Sequence, residues 1–304
     1  MKPLVSIVIP TYNRERDIAR ALKSVLAQTY PKWEALIVDN HSIDNTGDVV
    51  RSFNDTRIKL FKIHNDGVVA ASRNEGIRQA TGEYIAFLDS DDWWLPRKLE
   101  VSLQYLKQGA DVVYHDLFVA TKTRQKIFFK IARTRDLRSP PFDDLIANGN
   151  GLNNSSVVVR KDLLHAINGL SEDRNLIAAE DYDAWLRIAR LGGTFKRIRK
   201  TLGYYWKGGG NLSNPNRLFE NLDAIEERYA DAISEVGAHR SIYWIAYNKG
   251  RAHYLLASYE TAKRNLKLIR WRQAPFPIYI KSRWMLLLIN LTGHRSPQKY
   301  LNED

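Results

Sequence analysis

The sequence predicts an α/β fold, a mainly parallel sheet flanked by helices and followed by a helical C-terminal region. Three observations predict it. Strand-length apolar runs alternate with short amphipathic segments from Leu4 to Tyr114. Polar and acidic residues gather directly after those runs, at Thr11, Asp39 and Asp89. Beyond Pro215 helical periodicity replaces the alternation. Strands alternating with helices imply parallel pairing and right-handed crossovers. Ligands of such sheets lie beyond the carboxyl ends of the strands.

Leu4 to Ile9 reads as a buried strand, ending in the turn Thr11-Tyr12-Asn13 with Asn13 expected as an N-cap. Ile18, Leu22, Val25 and Leu26 recur at helical spacing, so that helix lays one face on the sheet. Trp33 to Val38 is a second strand, and a short helix follows around Asp48 to Phe53. Arg57 to Ile63 is a third strand, Val69 to Gln79 a helix, and Tyr84 to Leu88 a fourth strand. Pro96 to Leu106 is a helix, and Ala110 to Tyr114 a further strand. The pattern then weakens. Thr121 to Lys130 reads as a hairpin and Ser155 to Val159 as a short strand. Ala178 to Ala189 reads as a helix with Trp185, Ile188 and Ala189 on its core side and its acids in the first turn, where the helix dipole favours them. Leu202 to Trp206 is strand-like and runs into the glycine loop at Gly208-Gly209-Gly210. One helix is expected from Leu218 to Ile233, and a helical hairpin from Ile242 to Leu256 and Tyr259 to Ile269.

A hydrophobic content of 44 % over 304 residues supports a real core and excludes disorder. Cysteine is absent, which excludes disulfides, thiolate metal sites and a thiol nucleophile, and fits a reducing, cytoplasmic setting. The first apolar run stops at Pro10, too short for a secretory signal, and none is expected. The net charge of +12 points to an anionic partner. From His239 to Asp304 twelve Lys/Arg stand against three Asp/Glu, so most of the excess is C-terminal. There Trp271, Phe276, Tyr279 and Trp284 mix with Arg270, Arg272, Lys281 and Arg283. This segment suits an anionic membrane surface, and equally a basic helix packed on the rest of the protein.

Tyr84-Ile85-Ala86-Phe87-Leu88-Asp89-Ser90-Asp91-Asp92 is an apolar strand ending in three carboxylates. Carboxylates that close raise one another's pKa, and a divalent cation relieves the repulsion. Mg²⁺-like ions bind through one or two carboxylates and complete their shell from a substrate phosphate. A metal–diphosphate site and a solvated acidic turn capping the next helix both fit this stretch alone.

Five motifs occur in register: Pro10-Thr11-Tyr12-Asn13, Val38-Asp39-Asn40-His41-Ser42, Ser72-Arg73-Asn74-Glu75-Gly76-Ile77, Gly82 through Asp92, and Glu180-Asp181-Tyr182-Asp183-Ala184-Trp185. Together, over roughly residues 3 to 213, they resemble the family 2 glycosyltransferases. That resemblance implies a GT-A (Rossmann-like) fold and an inverting transfer of sugar from a nucleotide diphosphate. It implies a catalytic domain over residues 1–213; residues 214–304 are expected to be a helical region that associates with a membrane through its basic aromatic tail. Thr11, Tyr12 and Asp39 would hold the nucleotide base. Asn40 stands where the family often has an Asp that accepts from uracil, so a dTDP-sugar competes with a UDP-sugar. Arg73 would lie near the diphosphate. Asp89 would face the ribose and share Mn²⁺ or Mg²⁺ with Asp91, and Asp92 would assist or cap the next helix. Asp181 would be the catalytic base that deprotonates the acceptor, with Glu180 beside it.

The family often carries an Arg and a His after the strand near Tyr204, where this chain reads Trp206-Lys207-Gly208. Lys207 would then supply the cation facing the diphosphate. The resemblance and the basic aromatic tail imply a peripheral enzyme on the cytoplasmic membrane face, acting in polysaccharide or lipid-linked glycan assembly. Nucleic acid is not an expected partner, because the strand ends are acidic. The rivals are an inactive homologue that binds a partner, a basic nucleic-acid-binding protein, and a nucleotidyltransferase. The last is disfavoured because Thr11-Tyr12-Asn13-Arg14 contains no phosphate-gripping glycine.

Overall fold

The computed structural model describes residues 2–121, 130–208 and 215–292. The chain forms two compact units, one of Met1–Pro141 with Gly151–Asn211 and one of Phe142–Asn150 with Leu212–Asp304.

The first unit holds strands β1 (Val5–Thr11), β2 (Trp33–Asp39), β3 (Ile58–Lys62), β4 (Tyr84–Phe87), β5 (Trp93–Trp94), β6 (Val112–Ala120), β7 (Lys130–Ala132), β8 (Val158–Arg160) and β9 (Phe195–Trp206). They form one sheet in the order β3-β2-β1-β4-β8-β6-β9-β5, with β7 on β6. The run β3-β2-β1-β4 is parallel throughout, and β6 pairs in parallel with β9. β8 is antiparallel to both β4 and β6, so the sheet is mixed. β1 and β2 are buried along their whole length, which is why their sequences are apolar runs rather than alternations. The chain leaves β1 toward β2 on one side and returns to β4 on the other. That reversal opens a crevice at the carboxyl ends of β1 and β4.

Helices α1 (Ile18–Leu26), α2 (Thr46–Arg51), α3 (Val69–Gln79) and α4 (Lys98–Leu106) fall where the periodicity predicts them. α1 buries Ile18, Ala21, Leu22 and Val25 against the sheet. The close approach of α3 to β1 depends on Gly76, where a Cβ would lie 2.5 Å from Val8 Cγ1. Helix α5 (Pro141–Asn148) belongs to the second unit from Phe142 onward. In the first unit α6 (Lys161–Ala166) and α7 (Glu180–Arg190) follow β8, and α7 buries Trp185 edge-on to Phe87. The second unit holds α8 (Pro215–Arg228), α9 (Ala230–Gly237), α10 (Trp244–Leu255), α11 (Tyr259–Lys267) and α12 (Phe276–Thr292).

Several expectations change. Asn13 does not cap α1; it takes a left-handed φ of 50°, and its Oδ1 accepts from Ile43 N at 2.9 Å. Short polar side chains tolerate that conformation, and the bond ties the β1 turn to the loop after β2. The single helix expected from Leu218 to Ile233 is two, broken at Tyr229 with φ −116° and ψ 24°. Ser155 and Ser156 lie in a 3-10 turn, and the strand starts only at Val158. β5 and the first half of β9 carry no apolar alternation, and sequence reading missed them. Most of the hairpin expected at Thr121–Lys130, together with Gly209 and Gly210, lies outside the described residues.

The core of the first unit contains one unusual guest. Lys98 is fully buried at the start of α4, with Nζ 3.8 Å from the centroid of the Trp94 ring and no hydrogen-bond partner among the described residues. Burial pushes its pKa well below the usual lysine value.

Candidate functional site

The site is assembled from the loop after β1, the loop after β4 and the first turn of α7, all within the first unit. Parallel pairing places Thr11 beside Asp39 at the ends of β1 and β2. Thr11 is buried, with Oγ1 unpartnered among the described residues, and Tyr12 beside it is 53 % exposed. Asp39 is buried; it accepts from Ser42 N at 3.1 Å and from the Ser42 hydroxyl. Asn40 spends its amide oxygen on Asn65 N at 2.9 Å, so one of the two lone pairs expected to face a base is already engaged.

The acidic stretch follows β4. Asp89 N donates to Ser155 Oγ at 3.1 Å, and Asp92 N donates to Asp89 O at 3.0 Å, closing a tight turn. Asp92 is buried and does not cap α4. Its Oδ1 accepts from Trp206 N at 2.8 Å, which fastens the end of β9 to the acidic turn. Burial, Asp89 and Asp91 together push the Asp92 carboxyl well above the usual range. Burial and Asp89 push Asp91 up to about 6, against the pull of Arg14, whose Nη2 lies 3.6 Å from Asp91 Oδ2. Arg20, on α1, donates from Nη2 to Asp91 O at 2.7 Å. Its guanidinium lies 4.1 Å from the Trp93 ring centroid and 4.7 Å from that of Trp206.

Arg73 joins this turn to α7. It is buried between Asp89, at 2.7 Å from Nη2, and Glu180, which meets Nη1. With its amide turned, the Asn154 side-chain oxygen accepts from Arg73 Nη2 at 3.2 Å. Burial opposes the charge on Arg73, but Asp89 and Glu180 outweigh it and hold the guanidinium above its ordinary pKa. Arg73, expected near the diphosphate, is buried as an internal tie between two carboxylates. Glu180 is buried, with Oε2 unpartnered among the described residues. Asp181 is half-buried, and burial together with Glu180 pushes it up to about 7, against Arg73. Just before these acids, Ala178 takes a left-handed φ of 71°, a conformation costly for a residue with a Cβ.

Residues 6–154 match the sequence profile described as Glycosyl transferase family 2. An Escherichia coli protein, UDP-Glc:alpha-D-GlcNAc-diphosphoundecaprenol beta-1,3-glucosyltransferase WfgD, is 35 % identical over 188 residues, covering 62 % of this chain and 70 % of its own. The chain belongs to glycosyl transferase family 2. A second E. coli glucosyltransferase of the same description, WfaP, is 28 % identical over 255 residues, covering 80 % of this chain and 92 % of its own. Among solved structures, S. aureus TarS 1–349 in complex with UDP-GlcNAc superposes with a TM-score of 0.61 at 17 % identity, covering 96 % of this chain and 92 % of TarS 1–349. The mannosyltransferase PcManGT from Pyrobaculum calidifontis, in complex with GDP-Man and Mn²⁺, gives 0.59 at 18 % identity, covering 97 % of this chain and 83 % of its own. At such identities the likeness shows the fold alone, and the fold is GT-A.

In this glycosyltransferase the metal donors are sparse. Among the described residues no three His, Asp or Glu side chains form a ready metal cage. Asp91 nevertheless carries a carboxylate whose charge burial and Asp89 disfavour, and Asp89 is one-third exposed at its side chain. One or two such carboxylates, with phosphate oxygens and water completing the shell, is how Mg²⁺-like ions bind. The residues fit that mode. Lys207 is exposed one position beyond β9, next to the Trp206–Asp92 bond, and its own N donates to Ala120 O at 2.9 Å. Sequence reading missed Arg14, Arg20, Asn154 and Ser155 as neighbours of the acidic turn and Arg73. Arg20 has no local signature, since it serves a carbonyl 71 positions away. Ser155 falls in the strand expected from Ser155 to Val159, and Asn154 lies just before it.

Proposed function

We propose that this glycosyltransferase is an inverting, divalent-metal-dependent enzyme. It moves one sugar from a nucleotide diphosphate to a hydroxyl of a glycan or lipid-linked acceptor, at a membrane surface facing the cytoplasm. Residues 1–213 would carry donor binding and catalysis, and residues 214–304 a helical accessory region. The observation that carries the reading is the chain Asp91–Asp89–Arg73–Glu180–Asp181, which links a metal-capable acid to a carboxyl held near neutrality.

The steps follow from those side chains. Thr11, Tyr12 and Asp39 bind the base at the ends of β1 and β2, with Asn40 turned toward Asn65. Asp91 and Asp89 would hold Mn²⁺ or Mg²⁺, which when bound neutralises charge on the departing diphosphate. Lys207 would add a positive charge beside it. Asp181 accepts the proton of the acceptor hydroxyl, and that oxygen attacks the anomeric carbon opposite the leaving group, giving inversion without a covalent intermediate. A base whose pKa lies near the working pH is matched to this task. Arg73 holds the Glu180 carboxyl in place, and Glu180 beside Asp181 raises the proton affinity of Asp181.

The WfgD and WfaP descriptions name UDP-Glc as donor and a diphosphoundecaprenol-linked GlcNAc as acceptor, which supports the lipid-linked setting. The test incubates the protein with UDP-, dTDP- and GDP-sugars, with and without Mn²⁺, and a diphospholipid-linked GlcNAc acceptor. Product anomers are assigned by NMR. Metal-dependent transfer with inverted configuration is expected from one nucleotide. Retention, or transfer that is indifferent to chelator, would sink the corresponding half of the reading.

A further inference from the structure

Helix α12 is apolar on both of its faces. One face, with Met285, Leu286 and Ile289, is buried in a core shared with Tyr254, Tyr259, Ala262 and Leu266 of α10 and α11. The other is bare: Phe276, Ile280, Trp284, Leu287 and Leu291 are 60 %, 46 %, 59 %, 46 % and 72 % exposed. Their spacing of three and four places them on one stripe, about 22 Å long at 1.5 Å per residue. Trp271, 54 % exposed, packs edge-on against Phe276 at 5.7 Å and extends the stripe past the helix start. A helix that is apolar all round is normally covered on all sides.

The charge around the stripe selects what covers it. From Thr261 to Thr292 the sequence has seven Lys/Arg and no Asp or Glu. Lys267, Arg270, Arg272 and Lys281 among them are exposed. A second copy packed symmetrically on this face would set those cations against their own equivalents, in a segment that itself contains no Asp or Glu. An anionic lipid surface satisfies both features: the stripe enters the headgroup–acyl boundary, tryptophans sit at that boundary, and the cations meet lipid phosphates. No described helix is long and apolar enough to cross a membrane, so the mode is to lie in the surface.

We infer that the bare stripe of α12, with Trp271 and the flanking cations, is a docking surface for anionic phospholipid. The inference deepens the proposed function by naming where that membrane is met. Vesicle binding is read without donor or acceptor, and transfer to a water-soluble acceptor is followed separately, so the two readings fail independently.

The test is flotation of the full chain with vesicles of phosphatidylcholine alone or with added phosphatidylglycerol. Binding to the anionic vesicles, weakened by salt, is expected. Neutralising Arg272→Gln and Lys281→Gln should lower affinity about fivefold each, roughly 25-fold together. Replacing Trp271, Phe276 and Trp284 by Ser should lower it by about tenfold or more. The charge variants leave the apolar stripe intact, so they read the surface even if the serine variant folds poorly. Absence of binding, or binding that neither set changes, overturns the inference. So does a concentration-dependent dimer that Trp284→Ser dissociates, which would assign the stripe to a second copy.

Discussion

Arg73 Nη2 lies 2.7 Å from Asp89 Oδ1 while Nη1 of the same guanidinium meets Glu180, so one buried cation spans the acidic turn after β4 and the first turn of α7. Two parts of the site 91 positions apart in the chain are thereby fixed by a single side chain.

Removing that cation strands two carboxylates. Arg73→Ala should destabilise the protein by about 3–5 kcal/mol, the usual cost of breaking a buried ion pair from one side. Arg73→Lys keeps the charge but loses the fork, and should recover only part of the loss. Urea denaturation of the three proteins measures both. Equal midpoints for wild type and Arg73→Ala would mean the pair is not formed.

Asp181 sets two opposite pH dependences. As a base it must be ionised, so kcat/KM should rise with pH through about 7, and Asp181→Asn should lose about 10²–10⁴-fold in kcat. For stability the sign reverses. Its folded pKa lies above the ordinary aspartate value, so the native state binds more protons than the unfolded chain between about pH 4 and 7. Stability from this group is therefore greatest below that window and falls as pH rises through it. Melting temperature followed over pH 4–8 should show the decline in wild type and a flatter curve in Asp181→Asn.

Asp91 separates metal binding from folding. A divalent ion at ~100 times its dissociation constant should add ~2.7 kcal/mol of stability in the presence of the donor nucleotide. In Asp91→Asn that gain should vanish while the metal-free protein stays folded, since Asp91 has a raised pKa and its neutralisation relieves repulsion with Asp89. Differential scanning fluorimetry with and without EDTA reads it. A metal-induced shift that survives the substitution would exclude Asp91 as a donor.

Lys98 offers a stabilising change. Its amine is buried over Trp94 without a hydrogen bond among the described residues. Methionine has a similar length and volume and no polar group to desolvate. Lys98→Met should gain about 1–3 kcal/mol. A drop in stability would show that the contact with the Trp94 ring outweighs the burial cost.

The parts of the fold legible in the sequence were those where one face is uniformly apolar. β1, β2 and α1 could be placed because burial on every side, or on one stripe, leaves a periodic record. β5 could not, because a strand of two residues is shorter than any period, and β8 was placed only roughly, at Ser155 to Val159. The Glu180-Asp181 pair and the Asp89 turn were legible as motifs, but their connection was not. Arg73 is legible as part of a motif, but nothing near it in the sequence names Asp89 and Glu180 as its partners. Arg20 likewise has no local sign of its bond to Asp91, and Asn40 gives no hint that Asn65 already occupies it. Electrostatic partners chosen across the fold leave no spacing to read.

The place of β8 also bears on how the chain is made. This three-residue strand sits between β4 and β6, yet it follows both in the sequence. During synthesis at roughly 5–20 residues per second, the facing edges of β4 and β6 wait for seconds before Val158 emerges. Open strand edges are templates for pairing with other chains. The nascent protein therefore passes through an interval in which the middle of its sheet is unsealed. Ribosome-stalled chains ending before β8 should be cut readily by protease, and chains extended past β9, the other partner of β6, should resist.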